Sequence, residues 1–173
     1  MPLHLRALAK VILVALTACP PARAVVTVRS PHSRAAVVVS FSPAGTPLWS
    51  VSWRGKAVLD PAPIGLRFVG RPEPALQVMR VVRRSHDSVD TGLLGKASTA
   101  RNRYNEAVLT LSGGAEALEL AVRAYDDGVA FRWQFRAPEA FAIADEDAGF
   151  GVPASARAWV MPVANFTSSY ENY

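Results

Sequence analysis

Cysteine is nearly absent from this chain. Cys19 is the one thiol among 173 residues, so no intrachain disulfide can form and stability has to come from packing. Histidine is scarce as well. His4, His32 and His86 are far apart, and none stands near a second His, Cys or Glu at the spacing a zinc site needs. No stretch keeps a long 3.6-residue apolar period, which leaves helix little to build on, and no internal repeat or low-complexity segment occurs. The apolar run at residues 11–16 is too short to span a bilayer, so no transmembrane span is expected in the mature protein.

What is present bounds the fold. Hydrophobic residues make up 50% of the chain and aromatics 9%, enough for a sizeable core, and this length predicts one domain. The N-terminus places His4, Arg6 and Lys10 ahead of the apolar run, the pattern of a secretory signal over residues 1–24. Ala22-Arg23-Ala24 is a small-x-small cleavage site, whereas Leu16-Thr17-Ala18-Cys19 resembles a lipobox that would leave the protein lipid-anchored through Cys19. Both readings predict an exported, periplasmic protein whose domain starts near residue 25. Removal of Arg6, Lys10 and Arg23 with the leader takes the formal charge from +5 to +2. No nucleic-acid partner is expected: the Arg80, Arg83, Arg84 cluster has no aromatic stacking platform and reads as a solvated strand edge.

The pattern predicts an all-β, antiparallel β-sandwich, with short apolar or alternating runs broken by Gly, Pro, Asp or Asn. Residues 35–41 form one strand. Trp49, Val51 and Trp53 alternate with Ser50 and Ser52, and Arg54-Gly55-Lys56 turns them into a hairpin spanning about residues 48–59. Pro61 and Pro63 are expected to end it, because proline cannot donate to a ladder, with residues 64–69 as a separate short strand. Residues 76–84 pair again, and the polar segment 86–100 reads as a long exposed loop. Residues 107–111 lead through Ser112-Gly113-Gly114 into a strand presenting Leu118, Leu120 and Val122 on one face and Glu119 and Arg123 on the other. Across Asp126-Asp127-Gly128 a return strand presents Val129, Phe131, Trp133 and Phe135. A last strand is expected near residues 158–161.

Few residues suggest chemistry on their own. Asp126 and Asp127 are adjacent carboxylates, but consecutive strand positions face opposite ways, and Asp-Gly suits a tight turn in which Gly128 takes positive φ. Asn105-Glu106 lies beside Arg101 and Arg103 and predicts an edge ion pair, a backbone-pairing amide or a contact with a second domain. Ser85-His86-Asp87 is not a triad candidate, since triads are assembled from distant positions. Phe166, Tyr170 and Tyr173 suit either a sugar-stacking wall or a hydrophobic seam against another domain.

Three elements carry a family resemblance: Arg101-Asn102-Arg103-Tyr104-Asn105-Glu106, the run from Arg123 through Tyr125-Asp126-Asp127-Gly128-Val129-Ala130-Phe131-Arg132 to Trp133, and Tyr170-Glu171-Asn172-Tyr173. In this order over residues 25–173 the chain resembles the N-terminal domain of glycoside hydrolase family 97, exported bacterial α-glucosidases and α-galactosidases. The resemblance implies a galactose mutarotase-like supersandwich preceding a catalytic barrel that this chain does not contain. It also implies that Glu171 helps hold calcium beside the active site, with most other ligands supplied by barrel glutamates, and that the domain contributes to a carbohydrate pocket. Glycoside hydrolysis needs two carboxylates flanking the bond, so the chain is expected to be inactive alone. The alternatives are a stand-alone carbohydrate-binding β-sandwich module and a non-functional truncated product.

Overall fold

The computed structural model describes residues 24–91, 97–113, 117–136 and 142–157. Among them nine strands run in chain order: β1 (Val26–Arg29), β2 (Ala35–Phe41), β3 (Pro47–Trp53), β4 (Lys56–Phe68), β5 (Gln77–Thr91), β6 (Thr99–Ser112), β7 (Ala117–Ala124), β8 (Val129–Arg136) and β9 (Ile143–Ala148). They form two antiparallel sheets, one ordered β1-β2-β3-β4-β9 and the other β5-β6-β7-β8, as the sequence pattern predicted. Alternate residues of most of these strands, though not of β9, meet between the sheets. Val37 and Val39 from one sheet and Leu109, Leu118, Leu120 and Val122 from the other are almost wholly buried, and Trp49 packs edge-on against Phe131 with ring centroids 5.1 Å apart.

The β3–β4 hairpin turns where expected. Arg54 and Gly55 have φ of 49° and 78°, the two left-handed residues that a two-residue turn matched to strand twist requires. The expected stop at Pro61 and Pro63 does not occur, and residues 64–68 continue the same strand. A bulge explains this. Trp49 pairs with Ala62 and Val51 with Leu59, so Ser50 alone stands opposite Asp60 and Pro61, and Pro61 sits where the regular ladder is interrupted. Pro63 still serves as an acceptor, taking the Gly149 N–H at 2.7 Å.

The expected polar loop is also overturned. Pairing of β5 with β6 extends to Thr91 and Thr99, so most of residues 86–100 belongs to a long hairpin. Its faces are largely exposed, so no apolar alternation marks it; polar cross-strand pairs hold it instead. Ser85 Oγ donates to Asn105 Oδ1 at 2.8 Å, and His86 stacks on Tyr104 at 5.1 Å. β9 was not foreseen because its six residues are all exposed and three are acidic. It pairs with β4 from Ile64↔Ala148 to Phe68↔Ile143, and Arg67 bonds Asp145 across the pair. Just beyond it, Trp49 Nε1 donates to Gly149 O at 2.8 Å. The strand expected near residues 158–161 lies outside the described residues.

Candidate functional site

Tyr170, Glu171 and Tyr173, together with Phe166, lie outside the described residues, as does the leader through residue 23. The other two motif elements do come together. Tyr104 and Glu106 share the outward face of β6, and Glu106 stands directly opposite Arg123 of β7. Glu106 is only 6% exposed, and its Oε2 accepts Arg123 Nε at 2.7 Å. The same guanidinium lies 4.2 Å from the centre of the Tyr104 ring, so one cation meets a carboxylate and a π-face at once. Tyr104 also touches Tyr125, with centroids 5.2 Å apart.

The ion pair expected between Glu106 and Arg101 or Arg103 is therefore corrected. Those arginines lie three (Arg103) and five (Arg101) residues before Glu106 on β6, with Arg103 directly opposite Asp87, and both hold that carboxylate: Arg101 reaches it at 2.8 and 2.9 Å, and Arg103 at 3.5 Å. The Arg101 hydrogen bond holds the Asp87 carboxyl below its usual range, with the nearby guanidinium charges adding to the effect. The backbone-pairing reading of Asn105 holds, since its amide donates to Arg29 O at 2.8 Å. The Glu106–Arg123 pair was legible in principle. Placing the turn after Ser112 sets Leu111 opposite Leu118, and counting back along both strands puts 106 opposite 123.

Asp126-Asp127 forms the β7–β8 turn, closed by Tyr125 N–H donating to Gly128 O at 2.8 Å. Gly128 does not adopt the positive φ expected of it. The turn is instead pinned from outside: Asp126 accepts the His32 N–H at 2.9 Å and meets His32 Nδ1 at 2.5 Å. Desolvation pushes the Asp126 carboxyl up, but bonds from the His32 backbone, the Ser30 hydroxyl and the His32 ring outweigh it and hold it at about 2. Arg103 Nη1 sits 3.5 Å from His32 Nε2 and ties this clamp to the hairpin network.

Glu106, Asp87 and Asp126 each face a cationic or imidazole partner rather than an open site. Ser85, His86 and Asp87 form no relay, because Ser85 bonds Asn105, His86 Nε2 meets Ser88 Oγ at 2.9 Å, and Asp87 bonds arginines. Among the described residues no three His, Cys, Asp or Glu side chains gather to hold a metal, and no helix is long and apolar enough to cross a membrane. Two open grooves flank the β5–β6 hairpin, of about 480 and 340 Å³.

The family model for the glycosyl-hydrolase 97 N-terminal domain matches residues 28–173. The chain belongs to this family. Glycoside hydrolase family 97 structures show the same fold: an enzyme from Pseudoalteromonas sp. strain K8 in complex with panose superposes with a TM-score of 0.66 at 22% identity, over 75% of this chain and 20% of that one. The enzyme of that strain in complex with acarbose gives a TM-score of 0.62 at 22% identity over 70% and 19% of the two chains, and a β-arabinopyranosidase gives 0.66 at 26% identity over 74% and 21%. The chain therefore spans about a fifth of the length of these solved enzymes. No curated protein matches it. In family terms, two of the three motif elements build the Glu106–Arg123–Tyr104 network and the pinned turn.

Proposed function

We propose that this chain is the non-catalytic N-terminal β-sandwich of an exported glycoside hydrolase acting on α-glucosides or α-galactosides, and that a catalytic barrel outside the chain carries the bond-breaking carboxylates. The observation that carries this reading is the family match over residues 28–173 combined with coverage of only a fifth of each solved enzyme. Complexes of the similar enzymes with panose and acarbose support the glucoside side of it. In this reading Glu171 contributes one ligand to a calcium site completed by barrel residues, and Tyr170 and Tyr173 line the sugar pocket. The export signal at residues 1–24 belongs to the same proposal, with acylation at Cys19 as its variant form.

Hydrolysis by the purified full chain of 4-nitrophenyl α-glucoside and α-galactoside, with and without calcium, tests the reading. No turnover is expected; cleavage by the chain alone overturns it. Titration with malto-oligosaccharides separates the stand-alone module, which binds without any barrel, from the domain proposed here.

A further inference from the structure

The larger groove lies between the β5–β6 hairpin and the edge of β1 that no described strand pairs, and Thr27, Arg29, Arg83, Arg84, Ser85 and Asn105 line its 480 Å³. Hydrogen-bond donors dominate it. Ser30 N–H donates to Ala35 O at 2.9 Å, so alternation along β1 turns the peptide groups of Thr27 and Arg29 to that edge. Their carbonyls are already taken, by Arg83 Nη1 and Asn105 Nδ2, each at 2.8 Å. The N–H groups of Thr27 and Arg29 point the same way, beside the remaining donors of Arg83. Arg29 and Arg84 form no ion pair among the described residues. Glu106 also borders the groove, but it is buried and bonded to Arg123 at 2.7 Å.

We propose that this groove is an oxyanion site that takes a carboxylate, sulfate or phosphate group, presented by an acidic sugar or as a free inorganic anion. Guanidinium groups grip such anions through paired N–H donors, and amide N–H groups add to the same pocket. A neutral sugar hydroxyl, which both donates and accepts, finds few acceptors left here. The volume lies within the range of small-ligand sites. The inference does not depend on the hydrolase reading, because it needs neither a barrel nor Glu171.

Calorimetric titration of the full chain at low salt with glucuronate, inorganic phosphate and glucose tests it. Saturable binding of at least one anion is expected, with none for glucose. Tighter glucuronate identifies a sugar acid as the source, and tighter phosphate a free anion. The double variant Arg29→Gln/Arg84→Gln should weaken binding at least about tenfold, while Arg132→Gln, on the far edge strand, should leave it unchanged. Should the double variant fail to fold, raising salt from about 0.05 to 0.5 M on the unaltered chain must weaken anion binding several-fold. Equal binding of glucose, no saturable anion binding up to about 10 mM, or salt-independent affinity overturns the proposal.

Discussion

Asp126 holds both the backbone N–H and the ring Nδ1 of His32, a residue 94 positions earlier, and so ties the β7–β8 turn to the β1–β2 turn. Because the folded Asp126 carboxyl sits near 2 rather than its ordinary 3.8, the clamp stabilises the fold above about pH 4 and loses its contribution as pH falls through 2. Asp126→Asn should melt a few degrees below the parent at pH 6, and the gap should close toward pH 2. Thermal melts over this range check it; a gap that persists unchanged at pH 2 contradicts the assignment.

Removing Arg123 strands a buried carboxylate. Arg123→Ala should cost about 2 to 3 kcal/mol, toward the low end for a broken buried pair because the guanidinium is itself part-exposed. Arg123→Lys keeps the charge but loses the flat contact on Tyr104, for about 1 kcal/mol. Urea unfolding of the two variants should rank them in that order.

Gly113 and Gly70 separate backbone strain from crowding. Both have positive φ, 117° and 69°, but a Cβ on Gly113 would lie 2.2 Å from Ala75 O, whereas one on Gly70 meets nothing within 4 Å. Gly70→Ala should cost about 1 kcal/mol and Gly113→Ala at least twice that, because the Ala75–Leu76 segment must shift to make room. Equal losses in chemical denaturation would show that the close approach is unimportant.

Trp133 is buried, and among the described residues its Nε1 has no hydrogen-bond partner. Relieving that donor offsets part of the area lost in Trp133→Phe, so the substitution should cost under about 1 kcal/mol, whereas Trp133→Ala should cost about 3 to 5. Denaturant midpoints of the two variants distinguish this from a simple loss of ring volume.

Sequence reading succeeded where one face of a strand is apolar and the other polar. Leu118, Leu120 and Val122 against Glu119 and Arg123 marked β7, and Trp49 and Val51 marked β3. It failed where pairing leaves no such contrast. β9 and the outer half of the β5–β6 hairpin are exposed on both faces, and their ladders are held by backbone bonds and polar pairs that have no hydrophobic period. β4 was cut short because the proline rule applies to regular ladders, and the bulge at Pro61 could not be anticipated from β4 alone. Within the site, the Glu106–Arg123 pair follows from hairpin register. The His32–Asp126 clamp does not, because it joins turns that only the closed sandwich brings together.

Arg83 and Asn105 already sit on the outward carbonyls of Thr27 and Arg29. A foreign backbone zipping onto β1 would have to evict both side chains before its own amides found acceptors, so fibril growth is obstructed on that flank and misassembly is steered toward the molecule's other margins.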